Sequence, residues 1–338
     1  MSFPQGLYSH KTFEYTLSSH ITKKFNKKMK YITVDPYLDW SFYTKFSAQL
    51  IRKTFPKKIV DAISNMSKNS TLQTVVLHNV PVDTFIPHTP HDGKRSPYKG
   101  FISESVLLGL CDLLGCEPFL TFPNAHMLYK DPTLKNNLLC IHQIIPLDDP
   151  ESKLTRSSSG SAEPFDPHTE AVQCRTPIKF FLLYCLRGDP KVATNLIFLD
   201  DLLKFIRNHL PHDMSYTDFI TELQKSQFLM SNSSDIKAST FEVVLPILTH
   251  ENKKRIFRFD SNGDRITGTN PTAQRIVNYI KTALHNEEFK AKYVKKFYLK
   301  KGDLLIFNNL EILHARDSFT IDPDNWRWLQ RLYCCKKL

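Results

Sequence analysis

His168, Thr169 and Glu170 stand together in the stretch FDPHTEAVQCRTP, residues 165 to 177. On extended chain, residues i and i+2 point to the same side, so this imidazole and this carboxylate face one cavity. One further imidazole would complete a set of two histidines and one carboxylate on one face of a metal. That set leaves the opposite positions open, which suits Fe(II) with a chelating cosubstrate and O2. Among the later histidines, His314 is the best placed. It lies in LEILHARDSF, directly after the strand-like GDLLIFNN. His250 and His285 fall at a strand end and a helix end without comparable companions.

The companions of His314 are two arginines. In RWLQRL, strand alternation puts Arg327, Leu329 and Arg331 on one face. The two guanidinium groups start about 13 Å apart, at about 3.3 Å per residue. That separation suits two different carboxylates better than one. A guanidinium fork is the side chain for bidentate capture of a carboxylate. A zinc hydrolase would use the same metal-ligand types, but it has no need for Arg327.

Positioning these groups takes strands. TVVLHNVPV (74 to 82), NLLCIHQIIPL (137 to 147), IKFFLLYCL (178 to 186) and NLIFL (195 to 199) read as strands. So do FEVVLPILT, KRIFRFD, KFYLKKGDLLIFNN, EILHARDSF and RWLQRLYCC, with a turn at SNGD. Residues 41 to 68 read as helix broken at Pro56. SESVLLGLCDLLG reads as a core helix capped by Ser103 and ended by Gly115. Two helical segments follow at about 200 to 210 and 216 to 226, and NPTAQRIVNYIKTALHN is a helix with Asn270 as cap and Pro271 at its first position. Residues 148 to 164 are polar and Ser-rich, a loop. There is no regular βαβ alternation and no Gly-rich phosphate loop, which argues against a dinucleotide fold. The expected fold is α/β, mainly β, with a jelly-roll core of two sheets and flanking helices.

A chain of 338 residues allows one large domain or two ordinary ones, and no linker or repeat divides it. The expectation is a single domain, 1–338, with a basic N-terminal extension over 1–40 and the core over about 74–338. Apolar runs such as FFLLYCL are too short to span a bilayer, and the N-terminus lacks a signal-peptide core. Seven scattered cysteines without a CxxC pair fit a reducing compartment. The expected location is therefore cytoplasmic. The net charge of +11 gathers most densely in KKFNKKMK, residues 23 to 30. With no nucleic-acid-binding motif beside it, that cluster reads as a solvated face.

Taken together, HTE, His314, Arg327 and Arg331 resemble the clavaminate synthase-like branch of the Fe(II)/2-oxoglutarate dioxygenases, within the taurine dioxygenase superfamily. That branch includes the asparagine, arginine and lysine hydroxylases. The resemblance runs from about residue 74 to the C-terminus, through LHNVPVDTFIPHTP, SESVLLGLCDLLG, LCIHQIIPL and FDPHTEAVQCRTPIKFFLLYCLRGDPKVAT to RIFRFDSNGDRITG and LHARDSF…RWLQRL. It implies that His168, Glu170 and His314 bind Fe(II), and that Arg327, assisted by Thr194, holds the distal carboxylate of the cosubstrate 2-oxoglutarate. It implies that Arg331 holds the α-carboxylate of an amino acid. Asp260, Asp264, His142, Ser158 and Ser161 would then line or cover the substrate. HAR stands where the branch has His-Gly-Arg, and the interval from His314 to Arg327 is about one residue short.

The implied reaction is hydroxylation of an unactivated C–H bond, at C3 or C4 of a free L-amino acid, with succinate and CO2 released. Glu170 favours hydroxylation over halogenation, because halogenases of the superfamily lack the carboxylate. If Asp260 and Asp264 line the pocket, the substrate side chain is cationic. The same chemistry on a carrier-tethered or peptidyl amino acid is the alternative, and Arg331 tells them apart, since a thioester has no carboxylate to offer. A non-catalytic basic binding protein with a vestigial metal site is the reading of a different class. A small-molecule substrate is expected, with no nucleic acid or membrane partner.

Overall fold

The structure is a computed structural model that describes residues 8–9, 11–68, 71–90, 98–121, 139–146, 162–231, 242–252, 254–321 and 326–337. Two sheets face each other. The larger has the order β1 (Tyr8–Ser9), β2 (Thr12–Thr16), β3 (Thr74–His78), β15 (Leu304–Asn308), β7 (Phe180–Arg187), β17 (Trp328–Lys336) and β4 (Cys116–Pro118), and β5 (Ile141–Ile144) also pairs with β17. The smaller has the order β14 (Lys295–Phe297), β8 (Thr194–Phe198), β16 (Ile312–Arg316) and β6 (Phe165–His168). Beside them lie a three-stranded sheet of β10 (Glu242–Leu245), β9 (Phe228–Ser231) and β13 (Ile266–Gly268), and the pair β11 (Leu248–Glu251) with β12 (Lys254–Phe257).

The apolar pattern explains the layering. Alternate residues of a strand face opposite sides, and the central strands are apolar on both. Phe181, Leu183 and Cys185 of β7, Leu305 and Phe307 of β15, and Leu329 and Tyr333 of β17 face the gap between the sheets. There they meet Leu196, Phe198 and Ile312 from the smaller sheet. Leu182, Tyr184, Leu186, Leu304, Ile306, Trp328 and Leu332 point the other way, into a helical layer built from Ser19–Met29, Trp40–Thr54, Lys57–Met66 and Ile102–Leu113. Ile197 and Leu313 face a second helical layer, Leu199–His209, Tyr216–Leu223, Pro271–His285 and Glu287–Tyr293. Each large side chain buried in this way contributes about 1.5–3 kcal/mol before entropy is counted.

Several local expectations hold and several shift. Pro56 separates two helices, Asn270 caps its helix by accepting from the Ala273 N–H at 2.9 Å, and Gly115 ends Ile102–Leu113 with φ +66°. Ser103 is not the cap of that helix. It lies inside the first turn, fully buried, and its hydroxyl donates to Glu104 at 3.0 Å, while Asp83 faces the Ile102 N–H. FEVVLPILT is two strands rather than one, because Pro246 interrupts it. The N-terminal segment is built into the fold. Thr12–Thr16 pairs in parallel with β3, and Phe25 and Met29 of the following helix are buried.

β2, β3 and the start of β15 are also joined by charge. His78 Nδ1 meets Asp303 Oδ1 at 2.8 Å and Nε2 meets Glu14 Oε1 at 2.9 Å. The Asp303 bond, with Glu14 adding to it against burial, raises the imidazole to about 9. Stability from a raised histidine is complete below the unfolded value of about 6.5 and is lost as pH rises through about 9. Partial exposure discounts it to about 1 kcal/mol. The difference in Tm between the wild type and His78→Gln should therefore shrink as pH rises through that window. A difference that is constant with pH would show that the charge does not matter.

Candidate active site

The edge where β6 meets β16 brings the metal-ligand candidates together. His168 and His314 are opposite each other in register, with ring centroids 4.0 Å apart. Residues opposite in an antiparallel pair share a face, and here it is the face towards the larger sheet. Glu170 follows at the end of β6, its Oε2 lying 3.9 Å from His168 Nε2 and 3.8 Å from His314 Nε2. One ligand atom from each of the three lies within 4.8 Å of the others, and among the described residues this is the one such group of three.

The donors are prepared for a metal. His168 Nδ1 donates to the Asp166 carbonyl at 2.8 Å, which leaves the Nε2 lone pair pointing inward. Among the described residues, His168 Nε2 and Glu170 Oε2 are buried without a hydrogen-bond partner. Buried polar atoms left unpaired are costly, and a divalent cation between them removes the cost. Burial, reinforced by His168 and Arg331, pushes His314 well below the ordinary histidine range. It is therefore neutral, as a ligand must be. The residues thus fit Fe(II), and the rings of Phe165, Phe181 and Phe307 wall the histidines at 4.3, 4.7 and 5.2 Å.

The loop carrying Glu170 is pinned at both ends. Thr169 donates its N–H to the Phe259 carbonyl at 2.8 Å and its hydroxyl accepts from the Phe259 N–H at 3.1 Å. Asn309 Oδ1 accepts from the Glu170 N–H at 2.9 Å, and its Nδ2 donates to the Ile178 carbonyl at 3.0 Å. Ala171 then turns the chain away with φ +56°. Such outer partners are worth about 10–100-fold in metal affinity. Asn309→Ala is expected to weaken Fe(II) binding by that amount, measured by anaerobic titration. Unchanged affinity would show the clamp to be idle.

Arg327 and Arg331 are both buried. Arg331 is opposite His142 in the β5–β17 pairing and donates its Nε to His142 Nδ1 at 3.3 Å. His142 Nε2 meets the Thr121 hydroxyl at 2.7 Å. Burial, and then the Arg331 charge, hold His142 well below the ordinary range. It is a neutral acceptor for Arg331. Tyr333 packs under the Arg331 guanidinium at 4.9 Å and edge-on to His142 at 5.2 Å. Burial pushes its phenol well up, so it stays protonated beside Glu170.

Arg327 sits just ahead of β17, next to a register shift between Trp328 and Leu329. Burial pulls it down to about 10, against the opposing pull of Cys185 and Asp189. Among the described residues no carboxylate pairs with it. Arg316, two residues past His314, is held down to about 9 by burial and by Arg327, and it donates to the Glu163 carbonyl at 2.6 Å. The Arg of HAR therefore adds a second cation beside Arg327. Thr194, buried on β8, is opposite Arg316 and so lies on the same face as His314.

On its other face, β17 is locked to the helical layer. Trp328 Nε1 donates to Gln143 Oε1 at 2.8 Å and Gln330 Nε2 to Glu104 Oε1 at 2.7 Å. Glu104 is fully buried. Burial alone would raise it, but the Lys99 ammonium at 2.7 Å holds it ionised. The strand that carries the arginines thus alternates site residues with anchors.

The two acidic candidates are placed differently. Asp260 is buried and bridges to His168, but its carboxylate is engaged. Oδ1 accepts from the Asn262 side chain at 2.7 Å and Oδ2 from Arg265 at 3.1 Å. It braces the turn behind His168. Asp264 is exposed beyond Gly263 (φ +51°) on that turn and does not join the cluster. Ser158 and Ser161 lie outside the described residues. Tyr333, Asn309, Thr121, Glu104 and Arg316 escaped the reading of the sequence. Only Tyr333, two residues past Arg331 on the same strand face, had a signal in the spacing.

Residues 207–333, which hold His314, Arg327 and Arg331, match the family described as Taurine catabolism dioxygenase TauD, TfdA family. No curated protein matches the chain in sequence. Solved structures share its fold. One is an asparagine oxygenase in complex with Fe(II), (2S,3S)-3-hydroxyasparagine and succinate. It is 19% identical with a TM-score of 0.73, over 96% of this chain and 93% of that one. Another is the non-heme iron oxygenase OrfP in complex with Fe, succinate and (3S)-hydroxy-L-Arg. It is 18% identical with a TM-score of 0.71, over 96% and 95% of the two chains. OrfP in complex with Fe and alpha-ketoglutaric acid is 18% identical with a TM-score of 0.68, over 96% and 94%.

Proposed function

We propose that this protein is an Fe(II)- and 2-oxoglutarate-dependent hydroxylase of a free L-amino acid, acting on an unactivated C–H bond at C3 or C4 and releasing succinate and CO2. The carrying observation is the pairing of two needs that stay unmet among the described residues: three converging metal-ligand atoms, two of them without a hydrogen-bond partner, and a buried guanidinium, Arg327, without a carboxylate. A dianionic chelating cosubstrate answers both. The TauD/TfdA family match and the asparagine oxygenase and OrfP folds support the reading.

His168, Glu170 and His314 would hold the iron, which supplies the O2 chemistry when bound. Arg327, with Thr194, would hold the distal carboxylate of 2-oxoglutarate. The aromatic walls and buried surroundings keep water from the reacting centre and fix the partners relative to one another. Arg331 would take the substrate's α-carboxylate, with Nε fixed by His142 and the ring of Tyr333 behind it. A buried guanidinium there suits bidentate capture of a free carboxylate, which favours a free amino acid over a tethered one. A cationic substrate side chain draws no support from Asp260 or Asp264, so the side chain is open. We place the protein in the cytoplasm; the seven free cysteines support a reducing compartment, and among the described residues no helix is long and apolar enough to cross a membrane.

The test is anaerobic addition of Fe(II) and 2-oxoglutarate, watched for the visible charge-transfer band of the chelate, followed by free L-amino acids and O2. Succinate formed in step with a product 16 mass units heavier from one amino acid is the expected result. A band with only slow, uncoupled succinate would redirect the substrate to tethered or peptidyl amino acids. No band would end the dioxygenase reading. Within it, His142→Ala is expected to raise KM for the amino acid by about 10-fold, the scale of one charge-assisted hydrogen bond, with KM for 2-oxoglutarate unchanged. An equal rise in both would mean that His142 serves the fold.

A further inference from the structure

A second cavity, of about 600 Å³, is lined by other residues than the iron-site cluster. Its rim comes from the loop after Glu170 (Arg175, Thr176, Pro177), from β11–β12 and from the end of β17. Five cations line it, Arg175, Lys179, Lys254, Lys336 and Lys337, against one carboxylate, Glu251. Lys336 stands 3.7 Å from Glu251, and Lys337 is drawn off to Asp112 at 3.1 Å. The other three are left over. Lys254 donates to the Ser67 carbonyl at 2.6 Å. Lys179 packs over the Phe180 ring at 5.1 Å. Neither they nor Arg175 pair with a carboxylate among the described residues.

A lysine on an open face relieves its charge in water. Lys179 and Lys254 are half-buried in one concavity, and burial, followed by Lys179, pushes Lys254 below its ordinary range. Low-dielectric walls focus like charges and raise the local concentration of an opposite one. The floor is apolar, from Pro177, Ile256 and Leu310. The volume suits a small molecule and is too small for a nucleic-acid duplex.

We propose that this cavity binds a phosphorylated small molecule, with its phosphates between Arg175, Lys179 and Lys254 and its less polar part on Pro177, Ile256 and Leu310. Clustered cations with several donors each suit the many acceptor oxygens of a diphosphate better than a single carboxylate. The site is independent of the iron chemistry, and so is its test.

The experiment is calorimetric titration of the full, metal-free chain with inorganic diphosphate, ATP, adenosine and a single-stranded oligonucleotide. Saturable binding of diphosphate and ATP at one site, with none of adenosine, is expected. Tighter binding of ATP than of diphosphate would assign the apolar floor to a nucleotide's base; equal binding would assign the site to the phosphates alone. Lys179→Met with Lys254→Met should weaken both by at least about 10-fold. Arg175→Gln, at an exposed position that leaves the fold untouched, should weaken them less. Arg327→Met with Arg331→Met should change nothing. The proposal is overturned if neither phosphate saturates, if binding follows the Arg327 and Arg331 changes instead, or if the oligonucleotide binds more tightly than ATP.

Discussion

Arg327→Met is expected to weaken 2-oxoglutarate binding by about 10²–10³-fold while leaving the ligand-free protein at least as stable as before. The two halves of this result have one cause. Burial draws the guanidinium from its ordinary value down to about 10, which corresponds to about 3 kcal/mol of unfavourable burial at about 1.36 kcal/mol per unit. Among the described residues no carboxylate offsets this cost in the ligand-free protein, so a methionine of similar length relieves it. In the proposed complex the same charge would make charge-assisted bonds to a carboxylate in a medium of low dielectric. Losing them costs about 3–4 kcal/mol, hence the fold-change. Thermal unfolding with and without 2-oxoglutarate separates the halves. Tm without cosubstrate should hold or rise, and the rise on adding cosubstrate should vanish. If Tm falls and the cosubstrate shift survives, Arg327 is an element of the fold and the carboxylate binds elsewhere.

Much of this site is legible because its chemistry is local in sequence or periodic along a strand. His168 and Glu170 are two residues apart. Arg331 and Arg327 lie in one short run, and His314 follows an obvious strand. The central strands are apolar on both faces, so FFLLYCL and GDLLIFNN declare themselves. What was not legible depends on contacts between distant segments. Asp260 looks like an open acid until Arg265, five residues on, folds back onto it. His142 becomes the acceptor for Arg331 only through a cross-strand pairing of residues 189 positions apart. Asn309 acquires its role only when the turn after β15 meets the loop after β6.

The N-terminal strand was obscured for a different reason. A short strand at the rim, with Phe13 as its one buried residue, has almost no period to detect. Ser103 carries the signal of a cap, a serine before an apolar run. Here a neighbouring buried lysine and glutamate draw that serine inward, and Asp83 faces the helix start.

The pinned loop makes Glu170 unusually intolerant, and that sets the second large effect. Glu170→Ala should lower Fe(II) affinity by more than the about 10–100-fold of an outer partner, and hydroxylation should fall by about 10³-fold or more. The alanine leaves two neutral imidazoles, a net positive metal and no anionic ligand to balance it. Glu170→Asp is the sharper comparison. Its carboxylate starts about 1.5 Å nearer the backbone, one C–C bond. In a mobile loop the chain would follow and the loss would be small. Here Thr169 is tied to Phe259 and the Glu170 amide to Asn309, and Ala171 already sits at φ +56°. The backbone has little freedom to advance. Aspartate is therefore expected to bind iron about 10-fold more weakly, and Asn309→Ala should cost less in that background than in the wild type, because the freed loop can follow the shorter side chain. Anaerobic iron titration of the two single variants and the double variant reads the coupling directly. Strict additivity would mean that the loop does not hold the carboxylate in place, and the explanation for Asn309 would fall with it.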